Sequence, residues 1–484
     1  MNHKMIGKVL GVLLLLECLF LLPPALISAY DGQQVALRAF VQVMAGCAAV
    51  GAGLTLLCRK AKGSFYAREG FLIVSLGWIT LSAVGALPFF LAGEIPSYED
   101  ALFEVVSGFT TTGASILRDV EALSRGMLFW RSFTHWLGGM GILVFLLAVV
   151  PMGKGGHGVH LLRAESPGPS VGKLVPKTRQ TAATLYLIYI ALTVLCVVFL
   201  LAGGMPLFDS LCTAFGTAGT GGFGIKNTSM AGYSPYLQTV CTVFMMLFGI
   251  NFNLYFLLLL GKFRQVWRSE ELWTYLGIMG GAILLITLNI RPMYGGQTSA
   301  ALHDAAFSVS SVMTTTGFST VDFNLWPQLS RSILVILMVV GACAGSTGGG
   351  IKCARVVIMY KTLVARLRKS LHPRSVNLVR VEGRTVDEET IQGVNTYMIA
   401  YCAIGVVSFL ILSLDNFSLE TNLTAMVACL NNIGPGLDLV GPTGNYAMFS
   451  DLSKITLMLD MLLGRLEIFP LLLMFSPRMW RRAG

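Results

Sequence analysis

Long apolar runs, each near 20 residues or more, follow one another along the whole chain, and between some of them lie shorter apolar stretches that stop at a glycine. The long runs fall at 10–29, 37–58, 70–93, 129–151, 181–203, 234–261, 272–290, 329–365, 391–413 and 453–476. A helix needs roughly 20 apolar residues to cross a hydrocarbon core of about 30 Å. Backbone groups in lipid must bond within their own segment, so each run is expected to be helical. None alternates apolar with polar residues as the strands of a membrane barrel do. The pattern predicts an all-α polytopic membrane protein with ten spans.

The shorter stretches share one register. They are DALFEVVSGFTTTGAS at Gly113, DSLCTAFGTAGTGGFG at Gly222, DAAFSVSSVMTTTGFS at Gly317 and ETNLTAMVACLNNIGPG at Gly434. Asp100, Asp209 and Asp304 each stand thirteen residues before their glycine, and Glu420 stands fourteen before its own. Each stretch follows one long run and precedes another. Two N-terminal helices (1–69) are thus followed by four units of span, short helix, glycine loop and span, at 70–151, 152–262, 263–385 and 386–484. Such a period marks a repeat architecture.

The acidic residues are expected to cap the short helices by accepting from free N–H groups. About twelve helical residues rise ~18 Å, which is half-way through the hydrocarbon. The chain must then turn back as an extended segment. Backbone of that kind is tolerated at such depth only inside protein or against water. TTTGA, GTGGF, TTTGF and NNIGP are therefore expected to line one cavity with pseudo-fourfold symmetry.

The chemistry suited to such a cavity is cation binding. A dehydrated monovalent cation needs oxygens in place of its water, and consecutive backbone carbonyls aimed at an axis supply them. Glycine permits the backbone angles this requires. The partly negative C-terminal ends of the short helices point the same way. The candidate ion-binding residues are Thr111, Thr112 and Gly113; Thr220, Gly221 and Gly222; Thr315, Thr316 and Gly317; and Asn432, Ile433 and Gly434. The threonine hydroxyls either add ligands or bond the loop from behind. A single TTTG is compatible with a mere turn, whereas four copies in one register favour the ring.

Composition agrees with a membrane protein: 54% of residues are hydrophobic and 12% charged. The net charge of +10 sits on alternate loops. Counted from a cytoplasmic N-terminus, the basic segments are Lys4 and Lys8, then Arg59 to Arg68, Lys154 to Arg179, Lys262 to Arg268, Lys361 to Arg384, and Arg478 to Arg482. The opposite side carries Glu94, Glu99, Asp322, Asp415 and Asp438. That is a positive-inside pattern, so the basic total is a topology signal and nucleic acid is not an expected partner. The N-terminal run imitates a signal peptide, but its length favours a retained helix. Glu17 within it is read as a hydrogen-bonded packing residue. His157 and His160 lack further ligands for a metal. Arg131 and His135 are expected at the membrane interface.

The run 329–365 is too long for one span and holds GACAGSTGGGIK (341–352) in its middle. Glycine runs are poor helix formers. A helix broken at Gly341–Gly350 is expected, with Gly345, Ser346, Thr347, Gly348, Gly349 and Gly350 forming an intramembrane gate beneath the glycine loops. Lys352 is expected at the inner mouth. A phosphate loop is excluded, because no strand precedes it and the terminal Gly-Lys-Ser/Thr is missing. Arg465 lies mid-span, where an arginine costs at least ~2.5 kcal/mol unless it faces protein or water. It either pairs with Asp460 or Glu467 or faces a pore.

The four glycine loops, GACAGSTGGGIK and GRLEIFP (464–470) together resemble bacterial Trk-type potassium uptake proteins of the TrkH kind, within the superfamily that includes Ktr subunits and plant HKT transporters. The resemblance covers nearly the whole chain. It implies a homodimer in the bacterial cytoplasmic membrane, with both termini cytoplasmic and one pore in each chain. It implies K⁺ as transported and filter-bound ion, no covalent cofactor, and gating by a cytosolic TrkA-like nucleotide-binding ring. Gly113, Gly222, Gly317 and Gly434 would form the filter, and Arg465 an electrostatic barrier below it. Serine at the first of these positions marks sodium-preferring plant relatives. The second loop departs from the usual pattern through Gly216 and Gly219, which bears on its rigidity.

Inside-negative potential supplies about 2.3 kcal/mol per charge per 100 mV, enough to drive K⁺ inward without a co-substrate. The alternative is a proton- or sodium-coupled secondary transporter. That design calls for inverted repeats, whereas these repeats share one orientation. No HExxH or GxSxG motif points to an enzyme.

Overall fold

The computed structural model describes residues 2–59, 67–141, 178–374 and 377–480. The N-terminal unit is α1 (His3–Phe20), α2 (Leu22–Tyr30) and α3 (Gln34–Leu57). Pro23 and Pro24 fall in the first turn of α2. Proline is tolerated there because its missing N–H would be unpaired anyway. A Cβ on Gly11 would lie 2.9 Å from the Gly51 carbonyl oxygen, and one on Gly51 would lie 2.9 Å from that of Gly11. The two backbones are in contact, as small residues permit in membranes. Glu17 is buried but is not hydrogen-bonded: neither carboxylate oxygen has a partner among the described residues. Its Oε1 faces Gly85, where the side chains of Phe109 and Val105 also converge.

Four successions of long helix, short helix, loop and helix follow. The first is α4 (Ala67–Ala92), α5 (Tyr98–Phe109) and α6 (Arg125–Gly139). The second is α7 (Thr178–Ala202), α8 (Leu207–Gly219), α9 (Pro235–Phe248) and α10 (Phe252–Leu259), followed by the small α11 (Phe263–Trp267). The third is α12 (Glu270–Ile290), α13 (Thr298–Met313), α14 (Gln328–Val339) and α15 (Cys353–Leu371). The fourth is α16 (Glu388–Leu412), α17 (Leu419–Leu430), α18 (Asp451–Arg465), α19 (Phe469–Met474) and α20 (Pro477–Trp480). The long helices expose apolar side chains outward, among them Leu187, Val194, Leu284, Leu288, Val406 and Val407. A helix apolar on its outer face as well as its inner one suits lipid and not water. Six helices of the described residues are long and apolar enough to cross a membrane, seven if the bent pair α9–α10 is one span. The protein is an all-helical, multi-pass membrane protein apart, among the described residues, from one hairpin, β1 (Arg380–Val381) with β2 (Arg384–Thr385), between α15 and α16.

The second helix of a unit is interrupted more often than its apolarity suggests. The run 234–261 bends by 87° between α9 and α10. Asn251 restarts the helix there, its Oδ1 accepting from Asn253 N at 2.9 Å. The run 453–476 stops at Arg465, where Glu467 and Ile468 take positive φ values of 53° and 71°. Ile468 N returns to Leu463 O at 2.7 Å, a C-terminal closure that ends the helix. The run 329–365 breaks from Val340 to Lys352. The remainder of the run 129–151 past Gly141, the loop with His157 and His160, and Arg481 and Arg482 lie outside the described residues.

The acidic residues do not cap the short helices. Ser97 caps α5, its Oγ accepting from Asp100 N at 3.4 Å, and Ser418 caps α17, accepting from Thr421 N at 3.1 Å. Pro206 and Gln297 precede α8 and α13, which leaves Asp304 in the second turn of its helix. A cap must sit on the extended residue before the first turn, and these acids lie within the helices. They instead cross-link outer segments. Asp100 pairs with Lys454 at 2.6 Å and Glu420 with Arg331, while Asp209 and Asp304 accept from the hydroxyls of Tyr233 (2.9 Å) and Tyr294 (2.6 Å).

Candidate ion-conducting site

The four loops have one backbone conformation. The residue two before each glycine is left-handed: φ is 55° at Thr111, 54° at Thr220, 60° at Thr315 and 57° at Asn432. The glycines are left-handed too, at 82° (Gly113), 73° (Gly222), 86° (Gly317) and 93° (Gly434). The residues between them are not. This alternation of hand turns successive carbonyls toward one side. A threonine or asparagine at positive φ is costly unless its surroundings dictate it. Here the same closure dictates it in every copy. Thr112 N, Gly221 N, Thr316 N and Ile433 N return to Ser107 O, Gly216 O, Ser311 O and Ala428 O at 2.9, 2.9, 2.8 and 2.8 Å.

The loops meet in a ring. A Cβ on Gly113 would lie 2.0 Å from Gly221 O, one on Gly222 1.9 Å from Thr316 O, one on Gly317 2.2 Å from Ile433 O, and one on Gly434 2.7 Å from Thr112 O. Each glycine thus abuts the carbonyl that precedes the next glycine, and the fourth returns to the first. A cavity of about 190 Å³ is lined by all four glycines. Behind the ring, the hydroxyls of Thr110 and Thr112 are 2.8 Å apart and those of Thr314 and Thr316 are 2.7 Å apart. Asn432 Nδ2 donates to Thr112 Oγ1 at 3.0 Å, joining the fourth loop to the first. Tyr446 donates to Gly434 O at 2.7 Å.

The break between α14 and α15 lies against this ring. Gly341 N donates to Ile351 O at 2.9 Å, which closes the neck of a loop. Gly349 N donates to Thr315 Oγ1 at 2.7 Å, and a Cβ on Gly349 would lie 2.5 Å from Asn431 O. Phe252 N donates to Gly345 O at 2.9 Å, tying the loop to the bend of α9–α10. Lys352 does not face an open mouth. It is buried, and its Nζ donates to the carbonyls of Gly348 and Gly349, since a buried ammonium must be hydrogen-bonded to offset its lost hydration. Arg465 donates from Nη1 to Thr347 O at 2.9 Å and from Nη2 to Gly139 O at 2.7 Å and to Gly138 O. It bridges the loop to the C-terminal carbonyls of α6, where a cation is favoured. Glu467 pairs with Arg355, and Asp460 accepts from Ser408 Oγ at 2.7 Å. Ser346 Oγ donates to Cys343 O at 2.7 Å within the loop, and Gly350 is left-handed at 70°.

Three residues here were not legible as site residues. Glu271, on the first turn of α12, accepts from Ala344 N at 2.6 Å and from Ala354 N at 3.1 Å, so one carboxylate oxygen holds both limbs of the loop. Local sequence gives no sign of these long-range partners. Arg131 and His135 are not interfacial: they are 4% and 0% exposed, and both lie behind the loops. Their spacing of four puts them on one helix face, the signal that could have found them.

Short helices ending on a common cavity within a lipid-facing helical shell define a membrane transport protein. Residues 36–482 match the TrkH family model, described as "Cation transport protein", and the chain belongs to that family. It is 37% identical over 493 residues to the "Trk system potassium uptake protein TrkH" of Salmonella typhimurium, covering 99% of this chain and 100% of the relative. It is 31% identical to TrkG of Escherichia coli K12, covering 99% of each. The crystal structure of the potassium transporter TrkH from Vibrio parahaemolyticus superposes with a TM-score of 0.89 at 32% identity, covering 99% of this chain and 100% of that one.

Proposed function

We propose that this protein takes up K⁺ across a cytoplasmic membrane through a gated, channel-like pore driven by membrane potential. Four units with pseudo-fourfold symmetry, 70–151, 152–262, 263–385 and 386–484, surround the path. Gly113, Gly222, Gly317 and Gly434, with the carbonyls of Thr112, Gly221, Thr316 and Ile433, form its filter. The observation that carries this reading is the closed ring in which each glycine abuts the carbonyl preceding the next. Such carbonyls replace the hydration shell of a cation.

The loop Gly345–Gly350 is the gate, latched by Arg465, Lys352 and Glu271. Its opening needs Arg465 to release Thr347 O. Both termini lie in the cytoplasm, following the basic loops. The chain forms homodimers and answers to a cytosolic TrkA-like nucleotide-binding ring. The relatives' designation as parts of a Trk system supports that partner, as does the basic segment Lys361–Arg384, whose Lys361 pairs with Glu270 beside Glu271.

The decisive experiment is the reversal potential of purified protein in bilayers with mixed K⁺ and Na⁺. The expected value lies close to the K⁺ equilibrium potential. A reversal that ignores the K⁺ gradient sinks the filter. In proteoliposomes with clamped pH, K⁺ flux should persist. Flux that demands a proton gradient would favour the coupled transporter.

A further inference from the structure

The second loop, GTAGTGGFG, has glycine where its counterparts carry side chains. At the position just before the ring glycine, the other loops have Thr112, Thr316 and Ile433, whereas this one has Gly221. The missing bulk comes from another helix. A Cβ on Gly221 would fall 2.3 Å from both Cγ and Nδ1 of His135, and one on Gly219 would fall 2.2 Å from His135 O. The imidazole therefore occupies the volume that a side chain at 221 would fill.

The ring is also fixed by its bonds. Nδ1 lies 2.7 Å from Gly108 O in the last turn of α5, and Nε2 accepts from Phe223 N at 3.2 Å. A carbonyl on one nitrogen and an N–H on the other assign the neutral tautomer with the proton on Nδ1. One side chain thus joins the first short helix to the residue following Gly222. Phe223 lies against the imidazole, with ring centroids 4.2 Å apart. Arg131 sits over the Phe223 ring at 3.6 Å and donates to Gly224 O at 2.8 Å. Its Nε contacts Glu104 Oε1 at 2.5 Å. Glu104 in turn accepts from Ile116 N at 3.0 Å, just past the first loop.

We propose that His135 is a selectivity-determining positioning residue: it stands in for the absent side chain of the second loop and fixes the Gly221 carbonyl in the ring. This rests on the reading of the ring as an ion filter. A loop with glycine at both 221 and 222, entered from a last helical turn that holds Gly216 and Gly219, has little rigidity of its own. Once the imidazole is gone, the Gly221 peptide is free to tilt, and the ring loses its fixed size.

The test is the K⁺ to Na⁺ permeability ratio of purified protein in bilayers. His135→Ala should lower it about tenfold, the scale of one or two buried hydrogen bonds. His135→Gln offers a donor and an acceptor at similar reach and should keep most of the ratio. Gly221→Ala alone should lower the ratio or the yield of folded protein, because its methyl meets the imidazole. In the His135→Ala background the same change should restore what that variant lost, ratio or yield, because the methyl enters vacated space. Equal damage from Gly221→Ala in both backgrounds, or an unchanged ratio in His135→Ala, overturns the proposal. Wild-type protein that does not discriminate K⁺ from Na⁺ would instead overturn the filter itself.

Discussion

At Gly113 two constraints coincide. Its φ of 82° belongs to a region that side chains rarely adopt, and any Cβ would stand 2.0 Å from the Gly221 carbonyl oxygen. Gly113→Ser must therefore move one of the carbonyls of the ring. The expected outcome is a K⁺ to Na⁺ permeability ratio reduced about tenfold, on the scale of 1–3 kcal/mol for backbone held in a sparsely populated region. Bilayer recording in mixed salts checks it, and an unchanged ratio counts against the filter. The residue scale is also where reading the chain by itself was uneven. The register of the four glycines is a matter of sequence alone. The burial of Arg131 and His135 is not, because a polar residue near the start of an apolar run reads as interfacial until a neighbouring loop is seen packed against it.

Among elements, the interrupted second helices matter most. Glycine density at 341–350 announces one break, because glycine lacks helix propensity. The bend between α9 and α10 and the stop after Arg465 have no such density. They arise from an asparagine cap and from left-handed residues at Glu467 and Ile468, which composition does not reveal. These ends bring Arg465 to Thr347 O, Gly138 O and Gly139 O. Arg465→Ala removes a positive charge from beneath the ring and the tie between loop and α6. Basal K⁺ flux without a partner should rise several-fold, since a loop held by fewer charge-assisted bonds, each worth about 1.5–3 kcal/mol, opens more often. Isotope uptake into proteoliposomes measures this; unchanged or lower flux rejects the latch. The short-helix acids teach the same lesson about distance. Asp100, Asp209 and Glu420, expected as caps, stand instead in first turns, with partners that come from other segments.

For the whole molecule, the units are tied in a circle at the outer ends of their helices as well as at the ring. Asn227 Nδ2 donates to Asp119 Oδ1 at 2.8 Å, His303 Nε2 meets Gln238 Oε1 at 2.8 Å, Arg331 pairs with Glu420, and Lys454 reaches Asp100 at 2.6 Å. The last pair closes the fourth unit onto the first. Its lysine side chain is 9% exposed and its aspartate 28%. Lys454→Ala should lower stability by about 1–2 kcal/mol, between the values for exposed and buried pairs. The permeability ratio should stay unchanged, because the ring has its own closure through Asn432 and Thr112. Thermal unfolding in detergent with parallel bilayer recording separates the two. A shift in selectivity would mean that the outer ties set the ring.

Sequence by itself determined the helical character, the order of long and short elements, and the common register of the four glycine loops. These follow from local rules: run length against bilayer thickness, helix propensity, and the freedom of glycine. Only the tertiary structure decided which carbonyl meets which glycine, where two further helices break, and which side chains stand behind the loops. Those depend on contacts between residues up to hundreds of positions apart, such as Asn432 with Thr112 and Arg465 with Gly139. The second loop shows the division most plainly. Gly219 and Gly221 look like a loss of structure along the chain, and become a fitted surface only once the backbone and imidazole of His135 are packed against them.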